Sequence, residues 1–302
     1  MMRIRKPGKV FEGLWYLGRE ESGVYLLEGD RSTMIISGGM SYIVSDILQQ
    51  LKEFGRDKNR IKKLLILHSH FDHVGIVPYF KRRLPAMEVY ASQRAWEVLQ
   101  MDKAVVTIND FGRSVARRMR KEEVYSAHDL EWRKDVSGKT AREGDRIDLG
   151  GLEVVILEIP GHSSCCIAAY VPELKVLFPT DGGGIPLGET IVSSGNSNYT
   201  KYQQSLERLK PLEVDYLCAD HYGYVIGPEA SAFISRSIEM AKKSRAQMEE
   251  VYRSTRDIEA AARALTSSFY EENPDYFLSP EIFLDVHRQM VRHLAAAMEP
   301  RG

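Results

Sequence analysis

The chain has 302 residues, 43% of them hydrophobic and 27% charged, and its 41 basic and 42 acidic residues nearly cancel. This length can bury a sizeable core, and the balanced charge gives no overall field that would attract nucleic acid or an anionic membrane. The sequence has no signal-peptide core, no run of about 18 apolar residues and only three cysteines, two of them adjacent. We therefore expect a cytoplasmic protein with neither nucleic-acid nor membrane partners.

Up to residue 100, the sequence predicts strands and helices in alternation. Short strands separated by glycine turns occupy the first 40 residues, and a longer apolar strand begins at residue 61. A further strand is predicted at 87–92. Apolar residues at helical spacing predict helices at 41–55, 77–85 and 93–100, the last with Ser92 as its N-cap.

The rest of the chain predicts an insertion, a second set of strands and a helical tail. Residues 101–137 are helical in pattern and charged, which indicates an insertion rather than a core element, with its basic run on a solvated face. Strand patterns return at residue 143, and a helix is predicted at 199–209. Three helices follow Gly227. The predicted organisation is therefore a strand-rich body at 1–226 and a helical cap at 227–302.

The stretch "LLILHSHFDHVG" concentrates candidate metal ligands at the end of a buried strand. His68 and His70 are two positions apart on extended chain, so both side chains can project on the same side. Asp72 and His73 follow as the chain turns towards Gly75. Because metal sites in proteins draw ligands from several segments, we expect further ligands at other strand ends.

Three more polar residues end apolar runs in the same way. His162 stands in "EIPGHSS", Asp181 in "LFPTDGG" and His221 in "LCADHYG". Taken singly, each histidine is more often a hydrogen-bonded core or loop residue, and an aspartate more often caps a turn. Their shared placement favours a metal site, since ionisable clusters at the ends of buried strands are otherwise costly. The remaining histidines have no such context and are predicted to be structural or surface residues: His128, His287 and His293.

The motifs "HSHFDH", "PGHS" and "TDG", followed by a strand-end histidine, resemble the metallo-β-lactamase superfamily of hydrolases. Within it, the segments "KPGKVFEGLWYLG", "DHVGIVPYFKRRLP" and "PDYFLSPEIFLDVHRQM" are similar to the thioesterase-type quinolone-signal response proteins. The resemblance implies an α/β fold, an αββα sandwich with a C-terminal helical appendage. It also implies two divalent metal ions, zinc or iron. His68, His70 and His162 would hold one ion, Asp72, His73 and His221 the other, and Asp181 would bridge them.

Two departures from the superfamily pattern concern the surroundings of the ligands. Ser37 in "IISGG" stands where many members carry an aspartate, so one supporting carboxylate is expected to be absent. Tyr222 replaces the more usual small residue after the last histidine. Both differences bear on substrate identity.

The implied activity is hydrolysis by a hydroxide held between the two ions, with Asp72 as ligand and catalytic residue. The leading substrate is a small-molecule acyl thioester or related small ester, and a homodimer is possible. The alternatives are a phosphodiesterase, a lactonase, an iron-dependent persulfide or oxygen enzyme, and a regulator acting by protein contact. The adjacent Cys165 and Cys166 are predicted to be buried packing.

The C-terminal helices at 228–298 are expected to form one wall of the substrate pocket. Their apolar face would supply Ile282, Phe283, Val286 and Met290. The alternative is that this face only packs against the body or a second subunit.

Overall fold

Two seven-stranded sheets form the centre of the computed structural model, which describes residues 3–298. The first two residues of the predicted body and the last four of the predicted cap lie outside the described residues. The first sheet contains, in spatial order, β2 (Gly8–Phe11), β3 (Leu14–Arg19), β4 (Ser22–Glu28), β5 (Thr33–Ile36), β6 (Ile61–Leu65), β7 (Glu88–Ala91) and β8 (Lys139–Thr140). The second contains β1 (Arg3–Ile4), β16 (Tyr224–Ile226), β15 (Tyr216–Cys218), β12 (Val176–Phe178), β11 (Ile167–Val171), β10 (Glu153–Glu158) and β9 (Arg146–Asp148). A separate hairpin joins β13 (Ile185–Leu187) and β14 (Thr190–Val192).

The helices follow the predicted order along the chain. They are α1 (Val44–Glu53), α2 (Val77–Arg83), α3 (Gln93–Leu99), α4 (Asp102–Arg118), α5 (Glu122–Ala127), α6 (Tyr199–Leu209), α7 (Pro228–Thr255), α8 (Ile258–Glu272) and α9 (Pro280–Met298). Short 3₁₀ turns occur at Ser41–Ile43, Lys58–Arg60, Phe71–His73, Pro172–Leu174 and Thr180–Gly183. The Ser92 hydroxyl accepts a hydrogen bond from the Ala95 amide, which confirms the predicted N-cap of α3.

Alternate residues of the strands divide the core into three layers. On β4 and β6, Leu27 and Leu65 face the second sheet, whereas Leu26 and Leu64 face the helices of the first. The outer face of the first sheet packs against α1 to α4, and that of the second against α6 to α9. The predicted αββα sandwich with a C-terminal helical appendage is therefore confirmed.

Parallel pairing brings the ends of several strands to one edge of the sandwich. β5, β6 and β7 run parallel in the first sheet, and β12 and β15 run parallel in the second. Loops that follow these strands leave from the same edge. Gly75 allows the loop after β6 to lie against the loop after β5, because a Cβ at this position would be 2.2 Å from the Ser41 nitrogen.

The 101–137 segment is more than the predicted surface insertion. Ile108, Val115 and Ala116 of α4 are buried with the core of the first sheet. Asn109 holds the segment together, since its side chain donates to the Trp132 carbonyl at 2.9 Å and accepts from the Trp132 amide at 2.9 Å. The expectation that this segment is not a core element is wrong, because one face of α4 is apolar despite its high charge.

The helical tail begins where the sequence indicates, with Pro228 in the first turn of α7. Its separation from the body as a domain of its own stays a prediction. Among residues 3–298, no helix combines the length and the apolar character needed to cross a bilayer.

His287 joins α8 and α9, because its Nδ1 lies 2.9 Å from the Thr266 hydroxyl and its ring packs against Phe283. Burial lowers the pKa of His287 to about 4. In the unfolded chain, the His287 imidazole takes up a proton below about pH 6.5, whereas in the folded protein it stays neutral down to about pH 4. The stability that the neutral ring contributes is therefore lost as the pH falls from 6.5 towards 4. Between pH 7 and 5, the free energy of unfolding should fall by about 2 kcal/mol more in the wild type than in His287→Asn. Urea unfolding at both values measures this difference, and equal declines would contradict it.

Candidate metal centre

The seven predicted ligands meet at the shared sheet edge in two groups. His68, His70 and His162 form the first group, in which the His162 Nε2 lies 3.2 Å from the His68 Nε2 and 3.0 Å from the His70 Nδ1. Three imidazole nitrogens that point to one place form an arrangement suited to a transition-metal ion. We call these residues the three-histidine group.

The second group contains two carboxylates and two imidazoles, from Asp72, His73, Asp181 and His221. The His73 and His221 Nε2 atoms are 3.2 Å apart. The Asp72 Oδ2 lies 3.6 Å from the first of these nitrogens and 3.5 Å from the second. We call this set the Asp–His group.

Asp181 lies between the two groups. Its Oδ2 is 3.5 Å from the His162 Nε2 and 3.3 Å from the His73 Nε2, while its Oδ1 is 3.5 Å from the His221 Nε2. One carboxylate thus contacts imidazoles of both groups. This is the position that the sequence resemblance implies for a bridging ligand.

Hydrogen bonds at the opposite ring nitrogens orient three of the histidines. His162 bonds through Nδ1 to the Ser194 carbonyl at 2.8 Å, and His221 through Nδ1 to the Glu21 carbonyl at 2.7 Å. The His73 Nδ1 lies 2.8 Å from the Asp220 Oδ2. Such partners direct each Nε2 towards the centre, as in metal-binding histidines generally.

The sequence patterns do not point to Asp220 or Ser194. Asp220 could have been noticed as a carboxylate between an apolar strand and His221, in the quoted "LCADHYG". Ser37 is fully buried, and its hydroxyl has no hydrogen-bond partner among the described residues. The carboxylate that supports a ligand from behind is thus that of Asp220, which follows β15, whereas the end of β5 supplies none.

The two groups differ in their electrostatics. Burial lowers the pKa values of His68, His70 and His162, that of His70 to about 3, so these imidazoles are neutral at pH 7. Burial also opposes charge on His73, but the Asp72 and Asp181 carboxylates outweigh it and raise the pKa of His73. Neutral imidazoles are the form that binds metals, and the carboxylates that stabilise a proton on His73 would stabilise a cation in the place of that proton. Both features suit divalent cations.

A cavity of about 700 Å³ opens over the centre. Four candidate ligands line it: His70, Asp72, His162 and Asp181. Its walls come from α4, from the loop before α6 and from residues 276–289. A volume of this size is typical of small-molecule sites.

The predicted cap residues only partly line this cavity. Ile282, Phe283 and Val286 do so, whereas Met290 packs into the core between α9 and the second sheet. The expectation that the whole of 228–298 forms the wall is too broad, because α7 and α8 cover the second sheet.

The three other histidines and the three cysteines lie outside both ligand groups. For His128, His287 and His293, this position is as predicted. Cys166 is buried in the core as expected. Cys165 is also buried but lines the cavity, with its Sγ 3.3 Å from the Ser69 hydroxyl.

Known proteins resemble this chain over much of its length. It is 25% identical over 207 residues to hydroxyacylglutathione hydrolase of Prochlorococcus marinus (strain MIT 9312), covering 66% of this chain and 64% of that protein. It is 26% identical over 210 residues to acyl-coenzyme A thioesterase MBLAC2 of Gallus gallus, covering 66% of this chain and 70% of that protein. The chain thus spans just under two thirds of the length of the first relative. Neither is a quinolone-signal response protein, so that narrower resemblance stays a prediction.

A solved structure shares the fold along almost the whole chain. The metallo-beta-lactamase family protein TTHA1429 from Thermus thermophilus aligns with a TM-score of 0.68 and 18% identity, covering 97% of each chain. The family model of the metallo-beta-lactamase superfamily matches residues 17–221, a range that includes all seven predicted ligands. The chain therefore belongs to the metallo-beta-lactamase superfamily.

Proposed function

We propose that this protein is a dinuclear metallohydrolase that cleaves an acyl thioester or a related small ester. The observation that carries the proposal is the pair of ligand groups joined by Asp181 at the floor of a largely apolar cavity. The three-histidine group would hold one ion and the Asp–His group the other, each zinc or iron. Thioester hydrolysis is favoured because the relatives include an acyl-coenzyme A thioesterase and a hydroxyacylglutathione hydrolase.

When bound, two divalent ions lower the pKa of water to near 7 and polarise a substrate carbonyl. Asp72 and Asp181 are the two ligand carboxylates that line the cavity, and because Asp181 contacts imidazoles of both ligand groups, we assign the handling of a proton to Asp72. Hydrogen bonds fix His162, His73 and His221 from the rear, so the ligand nitrogens need no rearrangement during turnover. The apolar side chains of α4 and α9 exclude bulk water from the reacting bond.

A phosphodiesterase is less well supported by the cavity. Apart from the candidate ligands, its charged lining residues are Lys103 and Asp285, which have opposite signs. A site for a polynucleotide would need several cations to hold the phosphates.

The protein purified without added metal should contain about two metal ions per chain by elemental analysis. His68→Ala should lower this content, because it removes a ligand of the three-histidine group, whereas His293→Ala should leave it unchanged. A screen of acyl-CoA, lactone and phosphodiester substrates then tests the reaction. Native protein that contains no metal and takes up none on reconstitution would contradict the proposal.

A further inference from the structure

The two ends of the cavity differ in chemistry. Beside the three-histidine group, the lining is made of hydroxyl and amide side chains, from Ser163, Ser164, Ser194, Asn196 and Ser197. Ser194 fixes this end relative to the ligands, since its carbonyl contacts the His162 Nδ1 and its hydroxyl donates to the Asn196 Oδ1 at 3.0 Å. The polar end can therefore offer hydrogen bonds without a formal charge.

The end beside the Asp–His group is apolar. The Phe277 ring stacks on His221 with 4.4 Å between ring centroids, and Phe71, between His70 and Asp72, contacts Phe111 of α4 at 5.5 Å. Two helices, α4 and α9, also line the cavity. Their apolar lining residues are Ala104, Ile108 and Phe111 of α4, and Ile282, Phe283 and Val286 of α9.

Charge adds little to the selectivity of the cavity. Lys103 and Asp285 are both exposed, and Asp285 forms an ion pair with Arg288. Neither end therefore presents a cluster of cations to a phosphate-rich group.

We propose that the substrate is an uncharged amphiphile. Its hydrocarbon chain lies between α4 and α9, and its neutral polar headgroup binds the serine and asparagine side chains beside His162. This assignment rests on the proposed function only for the bond that is cleaved. The hydrocarbon chain and the headgroup would bind at the two ends of the cavity without any reaction. Val286 and Ile282 then determine the preferred chain length.

Binding without reaction tests the chain site. N-alkyl acetamides with butyl to dodecyl chains are not cleaved as esters and can be titrated into the metal-loaded protein by calorimetry. The Kd should fall about three- to fourfold for each added methylene until the end of the cavity is reached, since each buried methylene contributes about 0.8 kcal/mol. A Kd that does not depend on chain length would overturn the assignment.

A matched pair of variants locates the chain. Val286→Asn should raise the Kd of N-octyl acetamide at least tenfold while changing that of N-butyl acetamide less. Val251→Asn makes the same change at a half-buried position of α7 away from the cavity, and it should leave both values unchanged. Equal effects of the two variants would place the chain elsewhere.

The headgroup is tested with two thioesters of one acyl chain. Octanoyl N-acetylcysteamine carries a neutral leaving group, whereas octanoyl-CoA carries phosphates. The neutral thioester should be cleaved with a kcat/KM equal to or above that of the CoA ester, and Ser197→Ala should lower it by raising KM. A preference of more than tenfold for octanoyl-CoA would overturn the uncharged headgroup while leaving the hydrolase intact. If neither thioester nor the matching oxygen ester is cleaved but the alkyl acetamides bind as expected, the proposed hydrolysis fails and the chain site stands.

Discussion

Asp72→Asn is expected to lower turnover by roughly 100-fold or more in a folded protein, as for the loss of a positioned catalytic group. The amide has nearly the same shape as the carboxylate, but it carries no charge and neither accepts nor releases a proton near pH 7. Asp72 lines the cavity, and its Oδ2 lies within 3.6 Å of both imidazole Nε2 atoms of the Asp–His group. The change therefore acts on the chemistry at the floor of the cavity more than on packing.

The measurement is kcat under saturating metal, with metal content and circular dichroism recorded on the same sample. Asp148→Asn serves as the control, because this aspartate is exposed on β9, pairs with Arg31, and belongs neither to the cavity lining nor to the ligand groups. Unchanged turnover in folded, fully metallated Asp72→Asn would remove Asp72 from the mechanism.

Asp220→Ala is expected to weaken metal binding at both ligand groups, by about 10- to 100-fold. The Asp220 Oδ2 lies 2.8 Å from the His73 Nδ1 and accepts a hydrogen bond from the Thr180 hydroxyl at 2.6 Å. That hydroxyl also lies 3.2 Å from the His68 Nδ1. One carboxylate thus orients a histidine of the Asp–His group directly and one of the three-histidine group through Thr180.

Competition with a chelator measures the metal affinity of each ligand group. Thermal unfolding of the metal-free variant shows whether the protein is still folded, so that weaker binding is not mistaken for loss of the fold. Thr180→Ala should weaken mainly the ion of the three-histidine group, because His73 keeps its bond to Asp220. Thr180→Ser retains the hydroxyl and should restore wild-type binding. Folded Asp220→Ala with wild-type affinity for both ions would show that Asp220 does not position the ligands.

Local patterns in the sequence were sufficient to predict the candidate ligands and most of the elements, but not the β13–β14 hairpin. The apolar run before His68, the glycine turns and the helical spacing of 199–209 each depend on residues that are close in the chain. The αββα architecture was implied by the resemblance of the motifs to the metallo-β-lactamase superfamily. All seven candidate ligands follow apolar runs that predict strands, so the sequence alone indicates that they share the same kind of position.

Only the tertiary structure decided what surrounds the ligands. Asp220 and His73 are 147 positions apart, and His162 and Ser194 are 32 apart, so no periodic pattern connects them. The walls of the cavity could not be assigned either, because α4 and α9 each have an apolar face that could have packed elsewhere. Which face meets the ligand edge depends on how parallel strands bring distant loops together, and this long-range packing leaves no local trace in the sequence.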